Sequence, residues 1–248
     1  MNQGIRLTAL YAYGCGAAPV ESALGRAIVN YLKTGQGEEA LWREYLGRLE
    51  PRYYYHLLLE AKHTRALDDF NPSIVRDYWL GNSMVLPTLH TLFSPHDGPK
   101  TRWTPKPKFI GAYFLHQGVR PYHNFLVIAK AAIMGWTQKP KMVEEVVNPC
   151  LISWGQVLRV TKDTMVVEYY PLVYCGREFY QPHSGRITIR RGYVEDVQKG
   201  DIVSIHYYEA REVLSDYQRR RLQRYTQLAI DLLNNSYRLA RLAKVRTR

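Results

Sequence analysis

The chain reads as an α+β protein with an N-terminal antiparallel helical bundle, a small OB-like β-barrel and a C-terminal helix. Three observations carry that expectation. Up to about residue 147, apolar residues recur at helical spacing between glycine and proline breaks. From residue 156 to 208, short β-branched and aromatic runs alternate with turn residues. After Ser215 the helical spacing returns. These changes divide the chain into a helical domain (1–147), a barrel (148–214) and a basic helix and tail (215–248).

In order, Val20 to Leu32 carries Val20, Leu24, Ile28, Tyr31 and Leu32 on one helical face and stops at Gly35-Gln36-Gly37. Glu39 to Leu49 repeats the pattern, and Pro51 opens a third helix reaching about Leu67. A fourth follows Asn71-Pro72, a cap and a first-turn proline, through Ile74, Tyr78, Trp79 and Leu80. Short helices on short loops predict a bundle. Ser94 to Pro107 is rich in proline and basic residues and reads as a loop or a partner-binding arm. Helical spacing resumes from Tyr122 to Trp136, and Met142 to Val147 reads as a short connecting helix or strand.

The β-rich part opens at Asn148 to Val157, with Gly155 as a tight turn. Gln156 to Val160 and Met165 to Tyr170 flank Lys162-Asp163 as a hairpin, with further strands at Arg186 to Arg190 and Ile202 to Tyr208. Four or five such strands suit a closed barrel. Ser215 and Gln218 form a capping box that starts a helix through Leu222, Tyr225, Ala229 and Leu232.

Composition bounds the function. With 248 residues, 46% of them hydrophobic, the chain buries a sizeable core. Its formal charge is +12, and eight of those charges belong to residues 217–248. Three cysteines without a C-x-x-C pair fit a reducing, cytoplasmic setting better than a disulfide framework. The longest apolar run, Phe125 to Trp136, is too short to span a bilayer, and Leu7 to Ala18 makes a poor signal peptide. Phosphate loops, G-x-S-x-G elbows and H-E-x-x-H motifs are absent, so a non-catalytic role is expected.

Two blocks carry a family resemblance. Cys150-Leu151-Ile152 with Gly155-Gln156-Val157, and Lys199-Gly200-Asp201-Ile202-Val203-Ser204-Ile205-His206 with Tyr207-Tyr208-Glu209-Ala210, resemble the C-L-x-x-P-G-x-V and G-D-x-V-x-V-H-x-G-x-A motifs of the HypC/HupF nickel–iron hydrogenase assembly chaperones. Trp154 stands where that family has proline. The resemblance covers about residues 148–234. The helical half, with Asp77-Tyr78-Trp79-Leu80-Gly81-Asn82 and His123-Asn124-Phe125, is similar to uncharacterised, hydrogenase-associated prokaryotic proteins that combine such a region with this barrel.

The resemblance implies that Cys150 and His206 hold a transient iron carrying cyanide and carbon monoxide, and that the partner is a hydrogenase large subunit or a maturation protein. A thiolate is a soft iron ligand, and a neutral imidazole completes or orients the site. The alternative is a small buried cysteine and a hydrogen-bonded strand histidine. Trp154, Arg219, Arg220, Arg221 and Arg224 are the candidate partner-binding residues. His56, Glu60 and His63 share a predicted helix face as a weaker metal set or a solvated polar face. Cys175, before Gly176, reads as structural. The competing function is an OB-like RNA- or DNA-binding or ribosome-associated protein that uses the basic tail and the aromatic barrel face.

Overall fold

The computed structural model describes residues 2–14, 18–41, 70–85, 109–175, 178–181 and 185–246. Five strands close a barrel in the order β1-β2-β5-β7-β6: β1 (Ser153–Val160), β2 (Thr164–Tyr169), β5 (Gly185–Arg190), β6 (Ile202–His206) and β7 (Glu209–Val213). A separate hairpin of β3 (Val173–Cys175) and β4 (Glu178–Tyr180) lies between β2 and β5 in sequence. All barrel neighbours are antiparallel except β5 and β7, which meet in parallel at Arg190 and Glu209. Pairing of β1 with β6 seals the cylinder and leaves no free edge. Alternate residues point inward, so Val157, Met165, Val167, Ile189, Val203, Ile205 and Ala210 fill the interior.

Gly155 is not a turn residue. It sits inside β1 opposite Tyr169, where a Cβ would come within 2.7 Å of the Glu168 carbonyl oxygen. Glycine is needed there for close backbone approach. The strand expected over Ile202 to Tyr208 ends at His206, because Tyr207 and Tyr208 turn the chain into β7.

The helices are α1 (Gln3–Ala12), α2 (Ala23–Thr34), α3 (Pro72–Leu80), α4 (Phe109–His116), α5 (His123–Met134), a helical run α6 over 140–150, and α7 (Asp216–Arg246). Ser22 caps α2 and Gly35 ends it in the left-handed conformation, while Asn71 caps α3 ahead of Pro72. Ser215 and Gln218 exchange side-chain to backbone bonds of 2.8 and 3.2 Å, the expected capping box. The weakly apolar N-terminal stretch contributes to α1, a helix capped by Asn2 whose Ile5, Leu7, Leu10 and Tyr11 are buried. No described helix is long and apolar enough to cross a membrane.

Two of the four helices expected to form the N-terminal bundle fall almost wholly outside the described residues, and the bundle is not seen among those described. The helices share one hydrophobic core with α7 and the start of the barrel, running from Ile5 through Trp79, Phe125 and Trp154 to Ala240. The 31 residues of α7, roughly 46 Å long, form its strut. Leu222, Ala229, Ile230 and Leu233 face this core. The apolar stripe of the tail is therefore satisfied within the chain. Ser236 and Ala240 are buried and Tyr237 donates to Thr137 at 2.9 Å, so the helix past Asn235 belongs to the folded body.

Candidate metal centre

Cys150 ends α6 three residues before Ser153, and His206 follows Ile205, the partner of Ser153 across the β1–β6 ladder. Antiparallel pairing therefore brings the two motif residues to the same end of the barrel. Tyr207 tightens the junction by donating its backbone N–H to the Pro149 carbonyl at 2.8 Å.

A third side chain comes from the helical region. His123, the first residue of α5, has Nε2 at 2.8 Å from the Cys150 carbonyl. The next residue, Asn124, donates from Nδ2 to the Ile152 carbonyl and accepts the Ile152 N–H at Oδ1, both at 2.8 Å. One His-Asn pair thus grips the chain on both sides of Leu151. The ligand atoms of His123, Cys150 and His206 all lie within 4.8 Å of one another.

Hydrogen bonding sets the tautomers. A carbonyl only accepts, so His206 donates from Nδ1 to the Tyr11 carbonyl at 2.7 Å. Its Nε2 is left as the basic nitrogen, buried and without a hydrogen bond of proper geometry, with the Cys150 carbonyl near enough to oppose the fall in its pKa. By the same reasoning His123 keeps its proton on Nε2 for Cys150, which leaves Nδ1, 3.4 Å from the Tyr78 hydroxyl, as its one nitrogen able to ligate a metal. Burial pushes the His123 pKa down to about 4, with the Cys150 backbone bond opposing weakly. His206 is pushed well below the usual imidazole range by burial, then by His123 and Arg211, against the backbones of Tyr11 and Cys150. Both rings are neutral at physiological pH, the form a metal needs.

The surroundings are aromatic and tightly held. Trp79 lies 4.8 Å from His123 and 6.1 Å from His206 between ring centres, and it stacks on Tyr11 at 5.1 Å. Arg211, fully buried, donates to the carbonyls of Tyr13 (2.7 Å) and His206 (2.9 Å) and pairs with Glu209 at 3.1 Å. His206 is fully enclosed, whereas Cys150 is half-buried.

A thiolate with two neutral imidazoles suits zinc, copper or iron. Donors on one tetrahedral ion stand roughly 3.5 Å apart, so His123, Cys150 and His206 would hold such an ion only after a small inward movement. The orphaned Nε2 of His206 fits a metal, because a buried acceptor without a partner is costly unless something occupies it.

The other candidates are placed differently. Trp154 is buried in the core and stacked on Tyr170 at 5.6 Å, which removes it from any partner surface. Arg221 points inward to Asp77 and the Gly81 carbonyl, so it ties α7 to α3. Arg219 and Arg220 both pair with Asp216, and Arg220 remains largely exposed. Arg220, Arg221 and Arg224 line a shallow cavity of about 450 Å³, which adjoins one of about 460 Å³. Neither cavity is lined by a member of the cluster. Cys175 is exposed on β3. His56, Glu60 and His63 lie outside the described residues.

Sequence reasoning did not name His123 as a ligand. Its signal was the His123-Asn124 pair, whose function shows only when both side chains are seen on the Cys150–Ile152 backbone. No curated protein and no solved structure matches the chain. A model for a family of unknown function, DUF6390, matches residues 2–240, and the chain belongs to that family.

Proposed function

We propose that this protein is a non-catalytic assembly factor or accessory subunit for a nickel–iron hydrogenase. It holds an iron fragment with cyanide and carbon monoxide ligands at Cys150 and His206, with His123 as a third donor. One observation carries the reading: the two residues singled out by the chaperone-like motifs, 56 positions apart in sequence, lie in one cluster with a further histidine, all within 4.8 Å. The OB-like strand order and half-buried thiol suit a carrier that receives and passes on a metal fragment. Cytoplasmic action beside the large subunit or its maturation proteins follows from the same reading.

Nucleic-acid binding is the competing reading, through the basic tail and the barrel. It draws less support, because Arg219, Arg220 and Arg221 are engaged with Asp216 and Asp77 and the apolar stripe of α7 is internal.

The test is anaerobic titration of the full chain with Fe(II), and with Co(II) as a spectroscopic stand-in, for the wild type, Cys150→Ala and Cys175→Ala. Wild type and Cys175→Ala should bind one ion with a thiolate charge-transfer band, and Cys150→Ala should lose the band. Equal behaviour of the two cysteine variants would overturn the metal site. Maturation of a co-produced hydrogenase, followed with the same variants, separates the assembly role from metal binding alone. Steeply salt-dependent RNA binding would favour the competitor.

A further inference from the structure

The hairpin β6–β7 turns through two residues, Tyr207 and Tyr208, with His206 paired to Glu209 across the turn. Both tyrosines have positive φ, 52° and 57°. Two consecutive residues of this kind make the turn type that favours Asn-Gly, and L-residues with bulky side chains are strained there. The motif that this segment resembles has glycine at the position of Tyr208. Aromatic residues therefore occupy this turn against local preference, and the turn begins one residue after a member of the candidate centre.

We infer that the strained Tyr207–Tyr208 turn serves the site, with Tyr207 as the positioning residue of His206. Its ring meets the His206 imidazole at 4.8 Å between centres and 67° between planes. Its N–H binds the Pro149 carbonyl, next to Cys150. A single residue thus touches the imidazole and holds the backbone that carries the thiol. The Tyr11 carbonyl fixes Nδ1. These contacts hold His206 with Nδ1 engaged and Nε2 unpaired. Tyr208, 46% exposed, shares the strain and makes no ring contact with the histidine.

The inference rests on the metal reading for its affinity arm only. Tyr207→Asn, Tyr207→Phe and Tyr208→Gly are compared with the wild type in two measurements. One is Co(II) affinity. The other is the exchange rate of the His206 Nδ1–H in the imidazole NMR spectrum of the metal-free protein. Asn is favoured by this turn geometry, so that variant keeps the hairpin while losing the ring.

Tyr207→Asn should weaken Co(II) binding on the order of tenfold and speed Nδ1–H exchange, whereas Tyr207→Phe should keep both near wild type. Tyr208→Gly should raise the melting temperature by about 2–4 °C with affinity unchanged, as release of strain requires. A wild-type Nδ1–H signal in Tyr207→Asn, or a lower melting temperature in Tyr208→Gly, would overturn the inference. If the wild type takes up no Co(II), the metal reading fails by itself, and the imidazole signal still decides whether Tyr207 positions His206.

Discussion

The two hydrophobic cores are assembled in different ways. The barrel core draws all its buried residues from Val157 to Ala210, and its walls are strand ladders, one of them a tight hairpin. The larger core joins Ile5 to Ala240. Few backbone ladders cross its long sequence gaps, so side chains do much of the joining, three buried asparagines among them. Asn124 closes a two-bond ring with Ile152, Asn148 with Leu172, and Asn234 with Phe179, all buried. Each amide mimics a strand neighbour, for Ile152 and Leu172 outside any strand and for Phe179 beyond its pairing with Tyr174. The barrel is held by repetition and the shared core by single clamps, so one substitution should harm the shared core more.

The largest effect is expected from Asn124→Ala. It strips both bonds from Ile152, leaves two buried backbone groups unpaired, and removes the 2.8 Å bond to Thr226. A loss of about 4 kcal/mol should appear in urea denaturation. Amide exchange within β2 and β5 should stay comparatively slow. Parallel loss of protection there would break the comparison and make the two cores one cooperative unit.

Acid should act next, at the seam between the cores, where His123 and His206 sit. Both folded pKa values lie below the unfolded value of 6.5, so the stabilisation is fully present above pH 6.5 and is lost as pH falls. For His123, whose folded pKa is about 4, the loss between those limits is about 3 kcal/mol. His123→Gln, with a neutral side chain, should flatten the slope of stability against pH in this window. An unchanged slope would remove the buried imidazole as its cause.

Gly155→Ala strikes the barrel instead. The added methyl meets the Glu168 carbonyl at 2.7 Å and the side chains of Val167 and Ile205 at 3.1 Å, so about 2 kcal/mol should be lost. Here exchange should quicken in β1 and β2 while α7 stays protected. Quickening centred on α7 would show that the barrel depends on the strut.

The smallest effect calibrates the others. Arg238→Ala breaks a pair with Glu178 in which both side chains are about half exposed, and it should cost under about 1 kcal/mol. A larger loss would mean that this end of α7 holds the β3–β4 hairpin through charge as well as through Asn234.

Elements whose signals are local are legible in the sequence. The capping box at Ser215, the Asn71-Pro72 start of α3, the Gly35 stop of α2 and the hairpin about Lys162-Asp163 all depend on residues within a few positions of one another. The sequence also singles out Cys150 and His206, because each sits in a short motif. Which residues join them depends on how the helices pack against the chain around Cys150. His123 reaches Cys150 from the start of a helix bonded to the segment just before β1, and spacing along the chain does not encode that docking. Tertiary packing decides equally that Trp154 is core, that Arg221 is a tie to Asp77, and that the stripe of α7 is covered by its own chain. Composition shows that such residues are apolar or charged. Whether an apolar face finds its cover within the chain or on a partner depends on contacts between residues a hundred positions apart, such as Tyr122 with the Tyr225 carbonyl.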